Sequence, residues 1–137
     1  MIINAEDLIL GRIATVAAKN ALMGERIDIV NCEKAVMTGN KKEILARYKK
    51  KREMGQVYHG PYIFRRPDMF VKRLIRGMLP YKQEKGRKAL ERIRCHSGVP
   101  EKPKEGKMET IEEANISKVP SLRYVTVKDI CKSMGEK

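Results

Sequence analysis

Residues 1–32 read MIINAEDLILGRIATVAAKNALMGERIDIVNC, and their pattern decides the fold class. Ile2 and Ile3 open a short apolar stretch that ends at Asn4-Ala5 and reads as a strand. Asp7 follows and is predicted to N-cap a helix. Leu10, Ile13, Ala14, Ala17 and Ala21 then recur at helical spacing through Met23. Gly24 stands where a helix closes with a left-handed residue. Ile27, Ile29 and Val30 mark a second strand ending near Asn31-Cys32. Strand, helix and strand within about 30 residues make a βαβ unit, which implies parallel strands and a right-handed crossover. The expected class is therefore α/β.

Outward from this unit the signals are mostly helical. Thr38-Gly39-Asn40 reads as a turn and cap cluster, and Lys41 to about Met54 as a very basic helix. Ile44, Leu45 and Tyr48 supply that helix with a thin apolar face, and Gly55 closes it. Residues 56–66, QVYHGPYIFRR, contain Gly60-Pro61 and read as an extended loop. Pro67 suits the first position of the next helix, with Asp68 in its first turn. Met69, Phe70, Leu74 and Met78 are expected to form its apolar stripe, and Pro80 to stop it. Gly86 to Glu91 reads as a short helix and Arg92 to His96 as a strand, with Ile93 and Cys95 on one side. Residues 99–109, VPEKPKEGKME, read as a charged surface loop. Leu122 to Thr126 is β-rich, and Thr126 and Asp129 have capping-box spacing for a last helix through Met134, ended by Gly135.

A chain of 137 residues is expected to form one domain, 1–137, large enough to bury a core without staples. No run of about 18 apolar residues is present, so no membrane helix is expected. The first ten residues lack a basic n-region, which argues against a signal peptide. Cys32, Cys95 and Cys131 are odd in number and form no Cys-x-x-Cys pair, so reduced thiols are expected, with no disulfide framework or zinc site.

Charge is the strongest functional signal. Thirty Lys plus Arg against 17 Asp plus Glu give a net +13. Residues 1–39 carry −1, residues 40–94 carry +13, and residues 95–137 carry +1. The whole excess thus lies in the middle 55 residues, where it reads as a surface for a polyanion.

Three features within or beside that block bear on chemistry. Thr38, Gly39 and Asn40 lead into a helix start at Lys41 and Lys42, and a helix N-terminus points amides and partial positive charge at an anion. Arg47, Lys49, Lys50, Lys51 and Arg52 crowd two turns, a repulsion that a phosphate backbone relieves. The interleaved Tyr48, Tyr58, Tyr62 and Phe64 offer stacking surfaces for unpaired bases, although Tyr48 and Phe64 also suit a core. Arg65 and Arg66 precede the Pro67 helix, on which Lys72, Arg73 and Arg76 are expected to share a cationic face opposite Phe70, Leu74 and Met78. Catalytic constellations are poor. Neither a P-loop nor Gly-x-Gly-x-x-Gly occurs, and His59 and His96 stand in no nucleophile or metal pattern.

The ordered motifs resemble one family. They are Leu10-Gly11-Arg12-Ile13-Ala14-Thr15, then Ile29-Val30-Asn31-Cys32-Glu33-Lys34 with Thr38-Gly39-Asn40-Lys41, then Arg66-Pro67, Gly77-Met78-Leu79-Pro80 and Gly86-Arg87. In this order and spacing they resemble the universal large-subunit ribosomal protein L13 family, over residues 1 to about 98, and the tail from Leu122 to Gly135 looks archaeal. The resemblance implies a three-layer α/β/α fold with a small, mostly parallel four-stranded sheet. It implies a non-enzymatic constituent of the cytoplasmic large subunit that binds ribosomal RNA, supports early assembly and touches neighbouring ribosomal proteins. No cofactor, metal, membrane or small-molecule substrate is implied. The family's RNA-facing motifs carry over to Thr38, Gly39, Asn40, Lys41, Gly77, Met78, Leu79 and Pro80. The rival expectation is a small phosphate- or nucleotide-binding enzyme that uses the βαβ unit and the Gly39 turn.

Overall fold

In the computed structural model, which describes residues 1–101 and 108–135, β1 (Ile2–Asn4), α1 (Leu10–Leu22) and β2 (Ile27–Val30) form the expected βαβ unit. β1 and β2 are parallel, with Ile2 opposite Asp28, Ile3 opposite Ile29 and Asn4 opposite Val30. The buried stripe of α1 is Leu10, Ile13, Ala14, Ala17, Ala18 and Ala21. Its four alanines let neighbouring elements approach the helix backbone closely.

The helix start departs from the expectation. Asp7 does not cap α1; it takes a left-handed φ of 55°, and Ile9 is the N-cap with no side-chain bond. Leu8 and Ile9 are committed elsewhere. The Leu8 carbonyl accepts from the Val36 amide at 3.0 Å, and the Ile9 amide donates to the Ala114 carbonyl at 2.8 Å. Leu8 is also fully buried. These long-range bonds and a buried leucine outweigh a cap worth about 1 kcal/mol.

After a 3-10 turn at Cys32–Lys34 comes β3 (Val36–Thr38), a strand where the local pattern suggested part of a turn. It pairs antiparallel with β6 (Tyr124–Thr126), Thr38 opposite Tyr124. Only Gly39 and Asn40 therefore form the turn before α2 (Lys41–Glu53). Next come α3 (Pro67–Met78), α4 (Glu84–Glu91) and β4 (Ile93–Cys95), the last parallel to β2. The expected loop 99–109 ends instead in β5 (Met108–Glu109), which is parallel to β1; residues 102–107 lie outside the described residues. The main sheet has the order β4-β2-β1-β5. With its helices it makes a three-layer α/β fold around a four-stranded parallel sheet. The chain closes with α5 (Val127–Ser133), where the Thr126 hydroxyl accepts from the Asp129 amide at 3.2 Å, as the capping spacing predicts.

Helix α1 packs on both α3 and α4, and α3 and α4 both reach β4. Ile3, Ile27, Ile29 and Ile93 of the sheet are fully buried in a core continuous with Ile13, Val71 and Ile75. Of the expected stripe of α3, Phe70 is buried and Leu74 packs partly buried against the core, but the other buried positions are Pro67, Val71 and Ile75 rather than Met69 and Met78. Met78 is 46% exposed at the helix end, with its sulfur 3.7 Å from the Thr15 hydroxyl, and Leu79 enters the core in its place. Gly86 in α4 is demanded by packing: a Cβ there would lie 2.1 Å from the Pro80 carbonyl oxygen.

Candidate nucleic-acid interface

Helix α2 buries only Ile44 and Tyr48. Its remaining surface is charged, with Lys42, Arg47, Lys49, Lys50 and Lys51 exposed. The helix packs on α5 and β6. Asn40 caps it, its side-chain oxygen accepting from the Lys42 amide at 3.2 Å. The Gly39 amide donates to the Arg123 carbonyl at 2.9 Å, and Gly39 holds a φ of 131°, where an added Cβ would lie 3.2 Å from Ile44 Cδ1. The Thr38–Lys41 turn was expected to offer its amides to a phosphate. Two of the amides around it are used inside the protein, so the turn serves first as a junction between β3 and α2. The same bonds weaken the nucleotide-site rival.

Several predicted cations have protein partners. Lys41 pairs with Asp129 of α5 at 3.3 Å, and Arg66 with Asp68 at 2.7 Å. Arg52 donates to the Met134 carbonyl at the end of α5. Exposed pairs of this kind contribute little to stability and leave the cations near the surface. Leu79 is 4% exposed, so its side chain belongs to the core, whereas Gly77 is exposed and Pro80 half-buried.

The fold brings α2, the 56–66 loop and α3 together. Tyr48 of α2 meets Phe70 of α3 edge-on at 5.1 Å between ring centroids. Burial pushes the Tyr48 phenol above its ordinary range. Lys51 stands 5.3 Å over the Tyr48 ring, and Arg73 stands 5.2 Å over Phe64. Between them lies a groove of about 320 Å3. On the other side of α3, Arg76 stacks on Tyr81 at 4.2 Å, and both join Lys72 and Arg87 in a second groove, of about 410 Å3, between α3 and α4. Arg87 stands in the Gly86-Arg87 motif but is not among the expected contacts. Local reading passed over a third cleft, of about 360 Å3, where Arg26, Lys88, Arg92 and Arg94 gather with Asp28 and Glu91. The charge count of residues 40–94 was the signal that covered most of these, but only the packing of α4 against β4 groups them.

Cys32, the residue after Asn31 at the end of β2, lies beside Cys95, and its thiol is pushed far up by the hydrogen bond with Cys95 and by burial. Both thiols are free. Among the described residues no group of three His, Cys, Asp or Glu side chains is placed to hold a metal, and no helix is long and apolar enough to cross a membrane.

The family model described as Ribosomal protein L13 matches residues 1–102. The large ribosomal subunit protein uL13 of Methanosarcina barkeri is 43% identical over 137 residues, covering 99% of this chain and 98% of that protein. The uL13 of Archaeoglobus fulgidus is 44% identical, covering 98% of this chain and 86% of that protein. The uL13 of Halobacterium salinarum is 36% identical, with 98% and 90% covered. A match over most of the chain, joined to near full-length similarity and the motif order above, settles the question: the chain belongs to the ribosomal protein L13 family, a class of structural, non-enzymatic proteins.

Proposed function

We propose that this protein binds large-subunit ribosomal RNA in the cytoplasmic ribosome, sits among neighbouring ribosomal proteins and supports early assembly of the subunit. One observation carries the reading. Exposed Lys42, Arg47, Lys49 and Lys50 project from α2, Arg65 and Arg73 from the loop and α3, and all lie in the segment that holds the entire charge excess. Phosphates that meet these cations release counterions, so affinity rises without sequence-specific contacts. Cations spread over α2, the loop and α3 suit the backbone of folded RNA, so RNA shape more than base sequence is what the surface reads. A domain with its own buried core presents this surface already formed, which suits early binding. Pro80 follows the Leu79 cap of α3, just beyond the turn that carries Arg76 and the second groove.

Sedimentation of a native extract through a sucrose gradient, with this protein detected in each fraction at low and high salt, tests the proposal. Co-migration with the large subunit at both salts is expected. Migration as a free small protein at low salt overturns the reading.

A further inference from the structure

The groove between α2, the 56–66 loop and α3 has an aromatic interior and a cationic rim. Tyr48 and Phe70 are 9% and 5% exposed and make its closed side, while Tyr62 and Phe64 are 66% and 38% exposed and make its open side. Among the described residues the Tyr62 hydroxyl has one partner, the Val57 carbonyl at 3.4 Å, and its ring lies beside Gly60 with most of its surface open to solvent. Among the described lining residues the only charged groups are Lys51 and Arg73, each already stacked over an aromatic face.

We propose that this groove receives one unstacked nucleobase of ribosomal RNA, stacked on Tyr62 and Phe64, with the flanking phosphates on Lys51 and Arg73. The proposal rests on the RNA-binding reading above and names what one part of that surface takes. Every base has a π-face, so an aromatic wall captures it with little regard to sequence, at about tenfold in affinity per stacked base. Arg73 adds its planar cation to the stack. At about 320 Å3 the groove is at the small end of ligand sites, which suits a single base. Charge complementarity selects RNA over an apolar protein segment. A leucine or proline would fill the aromatic wall but leave both cations unanswered, within a segment of net +13.

The test uses assembled large subunits carrying this protein, irradiated at 254 nm, with nucleotide-bearing peptides mapped. Adducts are expected on residues 56–66, and Tyr62→Ala should lower their yield at least about tenfold per incorporated copy while adducts on α2 peptides persist. Tyr62→Phe, which keeps the stacking face, should retain them. Adducts confined to α2 and α3 overturn the groove assignment and leave RNA binding standing. An amine-reactive cross-link from Lys51 to another ribosomal protein, with no nucleotide on 56–66, overturns it in favour of a protein occupant. Absence of the chain from the subunit overturns the RNA-binding reading itself.

Discussion

Arg52, near the end of α2, donates to the main-chain carbonyl of Met134, 82 residues later, and so ties the most basic helix to the C-terminal end of α5. The last carbonyls of a helix have no partner within it, and a guanidinium answers one of them with a charged hydrogen bond. A residue that reads as one more phosphate contact therefore also holds the platform of the others. Arg52→Ala should cost about 1 kcal/mol and lower Tm by roughly 3–5 °C, as thermal denaturation of the isolated protein would register. An unchanged Tm would leave Arg52 with the RNA alone.

Lys49, Lys50 and Lys51 have no such tie to α5. All three are exposed, and α2 keeps its core contacts through Ile44 and Tyr48. Replacing the three with Glu reverses the sign of the surface and removes the cation over Tyr48, but changes no buried side chain. The triple variant should keep its circular dichroism spectrum and lose stable incorporation into the large subunit. Incorporation at the wild-type level would show that RNA does not approach this face.

Gly77 and Gly86 both occupy helices and should respond oppositely to alanine. A Cβ at Gly77 meets nothing within 4 Å, so Gly77→Ala should raise stability by up to about 1 kcal/mol through helix propensity. Among the described residues nothing requires glycine there, so the proposed RNA interface predicts that the added methyl group interferes with RNA instead. The variant should accordingly be more stable to urea yet incorporate less well. Gly86→Ala instead forces a Cβ to within 2.1 Å of the Pro80 carbonyl oxygen and should cost about 2 kcal/mol in the same urea titration.

The Tyr48 phenol is raised by burial, so the folded state favours its neutral form. That contribution is complete below the ordinary phenol pKa of about 10 and is lost as pH rises through the raised value. Absorbance titration at 295 nm should show a late-ionising phenol that disappears in Tyr48→Phe.

The three thiols should separate by exposure. Cys32 and Cys131 are fully buried and Cys95 is half-buried. Iodoacetamide at pH 8 should add one carbamidomethyl group to the native protein, at Cys95, and three after unfolding in guanidinium, as intact mass would read. Early modification of Cys32 would mean that the end of β2 opens readily.

The sequence by itself determined the elements whose signals are local. The βαβ unit, α2 with its Asn40 cap, the Pro67 start of α3 and the Thr126 cap of α5 all follow from periodicity and capping chemistry contained within a few residues. The ordered motifs also carried the family, and the charge count placed the candidate interface in residues 40–94. The tertiary structure decided what depends on residues far apart in the chain. β3 and β5 carry no strand signal of their own, and β6, β-rich in sequence, finds its antiparallel partner only in the fold; all three exist as strands because partners elsewhere in the chain satisfy their amides. Asp7 lost its expected cap because Leu8 and Ile9 bond to Val36 and Ala114. Charge can be counted along a sequence, but whether a cation faces a carboxylate, a main-chain carbonyl or an aromatic ring depends on what packing sets beside it. Lys41, Arg52 and Arg73 show those three fates differing only by neighbours that the fold supplied.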